Sequence, residues 1–192
     1  MTFNHIAPDL GEAHRFLEIL LGVKDPVIWV DAFDDKKDVK RNAGATPLLP
    51  APGIVGRLSE TGDRLKSLNG QGYAIFFFGQ GLRKIELGRK IENVDEIRYL
   101  FVDIDRDPET GKYIDYKKGS MPVSPSIAVN SGRGTHLYWR LYPGHDAAEY
   151  AIAARAISKK IGADPKVAQA ACLSRLPGFL HCKGEPTPVE IL

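Results

Sequence analysis

Tyr99-Leu100-Phe101-Val102-Asp103-Ile104-Asp105 begins as an apolar run and ends on two carboxylates. A run rich in aromatic and β-branched side chains reads as a buried strand, because such side chains suit a pleated surface packed on both faces. Residues two apart on a strand point to the same side. Asp103 and Asp105 therefore project together, while Val102 and Ile104 face the opposite layer. Two like charges so close repel each other unless something positive lies between them. A hard divalent cation with oxygen ligands meets that need, and Mg²⁺ or Mn²⁺ usually arrives with a phosphate substrate. The competing reading makes both aspartates strand-end residues, with Asp105 to Pro108 leading into a loop. A lone D-x-D leaves the two readings level.

Outward from this strand, Gly72 to Phe78 reads as a second buried strand and Pro26 to Phe33 as a third, bounded by a proline. Asp9 to Leu21 is an amphipathic helix with Ala13, Phe16, Leu17, Leu20 and Leu21 on one stripe and Gly22 as its stop. Asp34 to Arg41 is a dense mixed-charge run and Asn42 to Gly53 is rich in Pro, Gly and Ala, so this whole stretch reads as a surface loop. Leu58, Leu65 and Leu68 support a helix interrupted near Gly62 and closed by Asn69-Gly70. Gly79 to Glu92 suggests a hairpin around Gly88, and Asp107 to Ser126 is polar and turn-rich. Asp146 to Ile161 is a helix with Asp146 as N-cap and Gly162 beyond its end. Asp164-Pro165 opens a last helix that ends near Leu176-Pro177-Gly178. Strands and helices mix without strict βαβ alternation, which favours an α+β fold. With no internal repeat and no clean linker, residues 1–192 form one domain; a finer division sets an N-terminal lobe at 1–95 and a catalytic lobe at 96–192.

Composition narrows the class. The chain has 192 residues, 43% hydrophobic and 26% charged, as expected of a globular domain. Its apolar runs, such as Ile75-Phe76-Phe77-Phe78, are far shorter than a membrane span. Met1-Thr2-Phe3-Asn4-His5 carries no signal-peptide pattern, and the two cysteines, Cys172 and Cys182, cannot build a disulfide framework. A soluble, cytoplasmic protein with no membrane partner is the expectation. The net charge of +2 means that any polyanion must be bound by locally clustered positive charge.

Asn130-Ser131-Gly132-Arg133-Gly134-Thr135-His136 carries more chemistry. Ile127-Ala128-Val129 and Leu137-Tyr138-Trp139-Arg140-Leu141 flank it like hairpin arms. Gly132 and Gly134 let backbone approach a ligand, and exposed N–H groups favour an anion. Ser131, Arg133 and His136 add side-chain donors. Leu137, Trp139 and Leu141 look like core, which leaves His136, Tyr138 and Arg140 on an open face. A plain tight turn accounts for the glycines, and a hydrogen-bonded structural role for the histidine, but neither explains their convergence with a serine and an arginine.

Asp164 before Pro165 is well placed as an N-cap, and the residues alone favour that reading over a third metal carboxylate. Arg175-Leu176-Pro177-Gly178, with His181 and Lys183 following, is either a solvated turn or a second phosphate contact. No G-x-x-x-x-G-K-[ST], H-E-x-x-H or C-x-x-C occurs, so a P-loop ATPase and zinc sites of those kinds are excluded. Cys172 lacks an activating arrangement and reads as a buried helix residue.

Three segments in order resemble the motifs of the archaeo-eukaryotic primase superfamily: Phe101 to Asp105, Ser131 to His136, and Asp164 through Arg175-Leu176-Pro177-Gly178. The last segment is most similar to RepB-like primases of plasmids and phages and to related primase-polymerases. Asn69-Gly70-Gln71-Gly72-Tyr73 before an apolar strand also fits that branch, and the resemblance spans roughly Leu58 to Leu192.

This resemblance implies a small catalytic core with an RRM-like, mainly antiparallel sheet flanked by helices. It implies a DNA primase or primase-polymerase that transfers nucleotides from nucleoside triphosphates on a single-stranded DNA template, in plasmid- or phage-type replication within a bacterial or archaeal cytoplasm. Asp103, Asp105 and Asp164 would be catalytic and hold Mg²⁺ or Mn²⁺, which moves the preference for Asp164 from cap to ligand. Ser131, Gly132, Arg133, Gly134 and His136 would hold the nucleotide, with Arg175 and Lys183 as basic partners. Family members often continue into a helical priming domain or a helicase, so a fragment of a longer replication protein is expected. Two rivals stay open: a metal-dependent phosphodiesterase or nuclease, and a non-catalytic single-strand-binding module.

Overall fold

The computed structural model describes residues 6–105, 110 and 123–192. Most of the turn-rich stretch expected from Asp107 to Ser126 lies outside the described residues, as do Met1 to His5.

Along the chain run α1 (Leu10–Leu21), β1 (Val27–Asp34), α2 (Lys37–Asn42), β2 (Ala51–Arg57), α3 (Leu58–Gly70) and β3 (Tyr73–Phe78). Then follow β4 (Gly81–Leu82), β5 (Val94–Glu96), β6 (Tyr99–Asp105), β7 (Ile127–Asn130), β8 (Gly134–Arg140) and α4 (Ala147–Ile161). Short strands close the chain: β9 (Ser174–Arg175), β10 (Leu180–His181), β11 (Thr187–Pro188) and β12 (Glu190–Ile191). One sheet has the order β2-β1-β3-β9 and another the order β12-β7-β8-β6, all antiparallel, with small pairs β4-β5 and β10-β11 beside them. This is the expected α+β class.

The layers follow from strand alternation. Tyr99 and Phe101 of β6 and Tyr138 of β8 face one core, shared with Phe16 and Leu17 of α1 and with Ile75 and Phe77 of β3. Leu100, Val102 and Ile104 face a second core with Leu137, Trp139 and Tyr150 and Ala154 of α4. The β6–β8 sheet is thus covered on both faces. That corrects the expected open face: Tyr138 is fully buried and His136 nearly so, and only Arg140 of that trio is exposed. The polar pattern misled because the covering layer, α1 and the first sheet, is contributed from far away in the chain.

Several local expectations also change. The stretch from Asp34 to Gly53 is not one surface loop. The Asp34 carboxylate accepts the Lys36 and Leu48 N–H groups and pairs with Lys40 at 2.7 Å, tying down α2 and the segment after it. Pro52 and Gly53 sit in β2, an edge strand, where a missing ladder donor is tolerated. Nor does a helix run from Asp164 to Leu176. Pro165–Val167 makes a single 3₁₀ turn, and the chain then extends into β9, which pairs with β3 and completes the first sheet. Cys172, accordingly, is not in a helix and is only half-buried. The hairpin expected around Gly88 is present but wide: β4 pairs antiparallel with β5 on either side of it, two 3₁₀ turns fill the connection, and the second arm lies beyond Glu92. The α3 helix runs through Gly62 uninterrupted, because that glycine receives Leu10 of α1 against it.

Candidate active site

The β6–β8 ladder sets Asp103 opposite His136 and Asp105 opposite Gly134. The two carboxylates leave the strand on the side of Phe101, toward the first sheet, as the spacing predicts. Asp105 is exposed, whereas the Asp103 side chain is only 26% exposed. Asp164 joins them from the turn after α4: its N–H donates to the Asp103 carbonyl at 2.8 Å. The Asp164 carboxylate accepts the Lys166 N–H at 2.9 Å, so the capping role read from the sequence is real. Its charge also acts on Asp103. Burial, then Asp105, then Asp164 push the Asp103 carboxyl up to about 7, against the pull of Arg175.

His136 stands between Asp103 and Tyr138. Its Nε2 is 3.5 Å from Asp103 Oδ1, and its Nδ1 is 3.3 Å from the Tyr138 hydroxyl. The ring packs edge-on against Phe101. Burial, helped by Arg175, lowers its pKa to about 3, so the imidazole is neutral at physiological pH. Burial holds the Tyr138 phenol protonated well past its ordinary range. A phenol donating to Nδ1 leaves the proton on Nε2, aimed toward Asp103.

The hairpin turn is shaped by close approach. A Cβ at Gly134 would run into the backbone carbonyl of Ile104, so β8 can begin there only with glycine. Gly132 has φ +85°, and a Cβ there would meet His181 Cβ at 2.8 Å. The Gly134 N–H donates to Ser131 Oγ and the Gly132 N–H to Asn130 Oδ1. Those amides serve the turn itself, which corrects the expectation that they stand free for an anion. Arg133 is exposed at the tip.

Arg175 is not in a solvated turn. It is buried in β9, paired with Asp35 at 2.8 and 3.1 Å, and its guanidinium lies 4.9 Å above the Phe76 ring. Its charge reaches Asp103, His136 and His181. His181 is buried beside the hairpin turn, and Arg133 and Lys183 act on it too; its pKa falls to about 4, chiefly through burial. Lys183 itself is exposed. The structure therefore gathers Asp103, Asp105, Asp164, His136 and Arg175, with Arg133 and Lys183 ranged around His181. Asp35, Tyr138 and Phe76 escape a reading by motif. Asp35 and Arg175 are separated by 140 residues, and a local pattern carries no such pairing.

Carboxylate oxygens are the donor set a hard divalent cation takes. The raised Asp103 carboxyl marks a place where positive charge is wanted. Among the described residues, no three acidic, histidine or cysteine side chains are gathered closely enough to form a ready-made ligand cluster. Also among them, no helix is long and apolar enough to cross a membrane.

No protein-family model matches the sequence, and no curated protein matches it. Solved structures do. The archaeo-eukaryotic primase (AEP) domain of the cyanophage S-2L primase-polymerase matches with a TM-score of 0.73 at 14% identity, over 97% of this chain and 91% of that one. The catalytic domain of primase RepB′, solved in complex with initiator DNA, matches with a TM-score of 0.60 at 17% identity, over 95% and 82%. A structure of primase RepB′ gives a TM-score of 0.58 at 17% identity, over 95% of this chain and 55% of that one. These superpositions show that the chain has the fold of the archaeo-eukaryotic primase catalytic domain.

Proposed function

We propose that this chain is the catalytic domain of a DNA primase or primase-polymerase, adding nucleotides from nucleoside triphosphates to a strand paired with single-stranded DNA. The observation that carries the reading is the meeting of three elements at one place. The end of β6 brings Asp103 and Asp105, β8 brings His136, and β9 brings Arg175, all on a fold shared with AEP domains. The RepB′ neighbour solved with initiator DNA supports a nucleic-acid partner.

Asp103, Asp105 and Asp164 would hold Mg²⁺ or Mn²⁺, with Asp164 turning from its own Lys166 N–H toward the cation. Such a cation, when bound, lowers the pKa of a 3′-hydroxyl and stabilises a leaving pyrophosphate. Arg175 supplies fixed positive charge for a triphosphate, and Arg133 and Lys183 add to it from the exposed side. His136, neutral with its proton on Nε2, donates a hydrogen bond and is too weakly basic to take the hydroxyl proton. The protein's share is positioning and charge neutralisation.

The test is incorporation of labelled nucleotide on primed and unprimed single-stranded DNA, with and without Mn²⁺. Metal-dependent synthesis with pyrophosphate release is expected. Cleavage of the DNA instead would assign a nuclease, and metal-independent binding without synthesis a single-strand-binding module.

A further inference from the structure

Asp35 follows β1 directly, and its side chain is only 3% exposed. Its two oxygens accept from the two Nη atoms of Arg175 in a parallel fork, and Oδ2 also accepts the Cys182 N–H at 2.7 Å. The Asp35 N–H is held in turn by the Gly72 carbonyl. Arg175 of β9 and the segment after β10 thus meet on the Asp35 carboxylate, while the segment after α3 holds its backbone. Phe76 supports the guanidinium from below. The fork uses one edge of the arginine, and among the described residues its Nε has no hydrogen-bond partner.

A buried ion pair is a poor way to gain stability, because taking both charges out of water offsets most of their attraction. What the fork does supply is orientation: a guanidinium gripped along its Nη1–Nη2 edge and over one face has the directions of its other donors fixed. The charge so placed is the one that acts on Asp103, His136 and His181 together.

We propose that Asp35 is the positioning residue for Arg175, holding its guanidinium so that the unused donors meet the phosphates of the nucleoside triphosphate. The role rests on the primase reading above. Asp35 touches no substrate in this scheme and acts only through the arginine.

The experiment measures the Kd of a fluorescent nucleoside triphosphate with Mn²⁺, beside KM and kcat for primer extension, in wild type, Asp35→Asn, Arg175→Met and the double variant. Thermal midpoints accompany each. For Asp35→Asn, Kd and KM should rise together by about tenfold, the cost of one misplaced charge-assisted contact, while kcat at saturating nucleotide falls much less. Adding Asp35→Asn to Arg175→Met should leave Kd where Arg175→Met alone puts it. The double variant also removes both buried charges, so it folds even if Asp35→Asn alone does not. An Asp35→Asn protein with wild-type Kd and KM would overturn the role, and so would a double variant that binds clearly more weakly than Arg175→Met. A wild type that neither binds triphosphate nor incorporates it overturns the primase reading and this role with it. Binding and synthesis by wild type, with an indifferent Asp35→Asn, overturn the role alone.

Discussion

At the residue scale the site turns on how burial prices charge. Asp103 is held near pH 7 because it lies in a part-buried place beside two other carboxylates. The folded state therefore binds its proton more tightly than the unfolded chain, where the value is the ordinary 3.8. This group's contribution to stability is full below that value and is lost as pH climbs toward 7. Asp103→Asn should thus abolish nucleotide incorporation and yet, in chelator-treated buffer, melt above wild type at pH 8, with the gap closing toward pH 4. A gap that does not vary with pH would show that Asp103 carries no such penalty. Asp164 separates two roles in one side chain. Asparagine caps as well as aspartate, so Asp164→Asn should keep its thermal midpoint. It should also lose about tenfold or more in incorporation rate, since a neutral amide is a poor ligand for a hard cation. An active, equally stable variant would leave Asp164 as a cap and nothing more.

At the element scale the β7–β8 hairpin decides where His136 stands. Its register against β6 places His136 opposite Asp103, and the register depends on glycine where β8 passes the Ile104 carbonyl. Gly134→Ala should cost about 1–3 kcal/mol through forced backbone displacement. It should lower the urea midpoint with little change in slope, and nucleotide affinity should fall with it because the histidine moves. Unaltered stability would mean that the strands part there at no cost. The Arg175-Leu176-Pro177-Gly178 segment likewise has more than one duty. Arg175 serves the site, Leu176 is fully buried in the first core, and the Gly178 carbonyl accepts the Asp9 N–H at the start of α1.

At the scale of the whole molecule, α1 joins the two sheets. Phe16 meets Phe77 of the first sheet at 5.2 Å and Tyr138 of the second at 5.1 Å, both edge-on. Phe16→Ala should cost about 3–5 kcal/mol in a denaturant titration, the range for an aromatic deleted from a packed core. Because Tyr138 in turn supports His136, the same variant should weaken nucleotide binding at temperatures where it is still folded. A loss below about 1 kcal/mol would place the joint elsewhere.

What the sequence determined by itself is what nearest neighbours along the chain can encode. The α1 and α4 boundaries, the buried runs of β3 and β6, the hairpin around Ser131 to Gly134 and the shared side of Asp103 and Asp105 all follow from period, caps and turn residues. The three-motif resemblance named the fold on the same local basis. The tertiary structure alone decided which surfaces are covered. A sheet face is open or buried according to what another part of the chain lays over it, so His136 and Tyr138 looked exposed until α1 and the first sheet were in place. The same holds for Asp34 and Asp35, which read as a solvated charge run and are buried, one organising α2 and the other gripping Arg175 across 140 residues. Charge in a short window is blind to a partner that distant, and the cost of burying it is met only after the chain has closed.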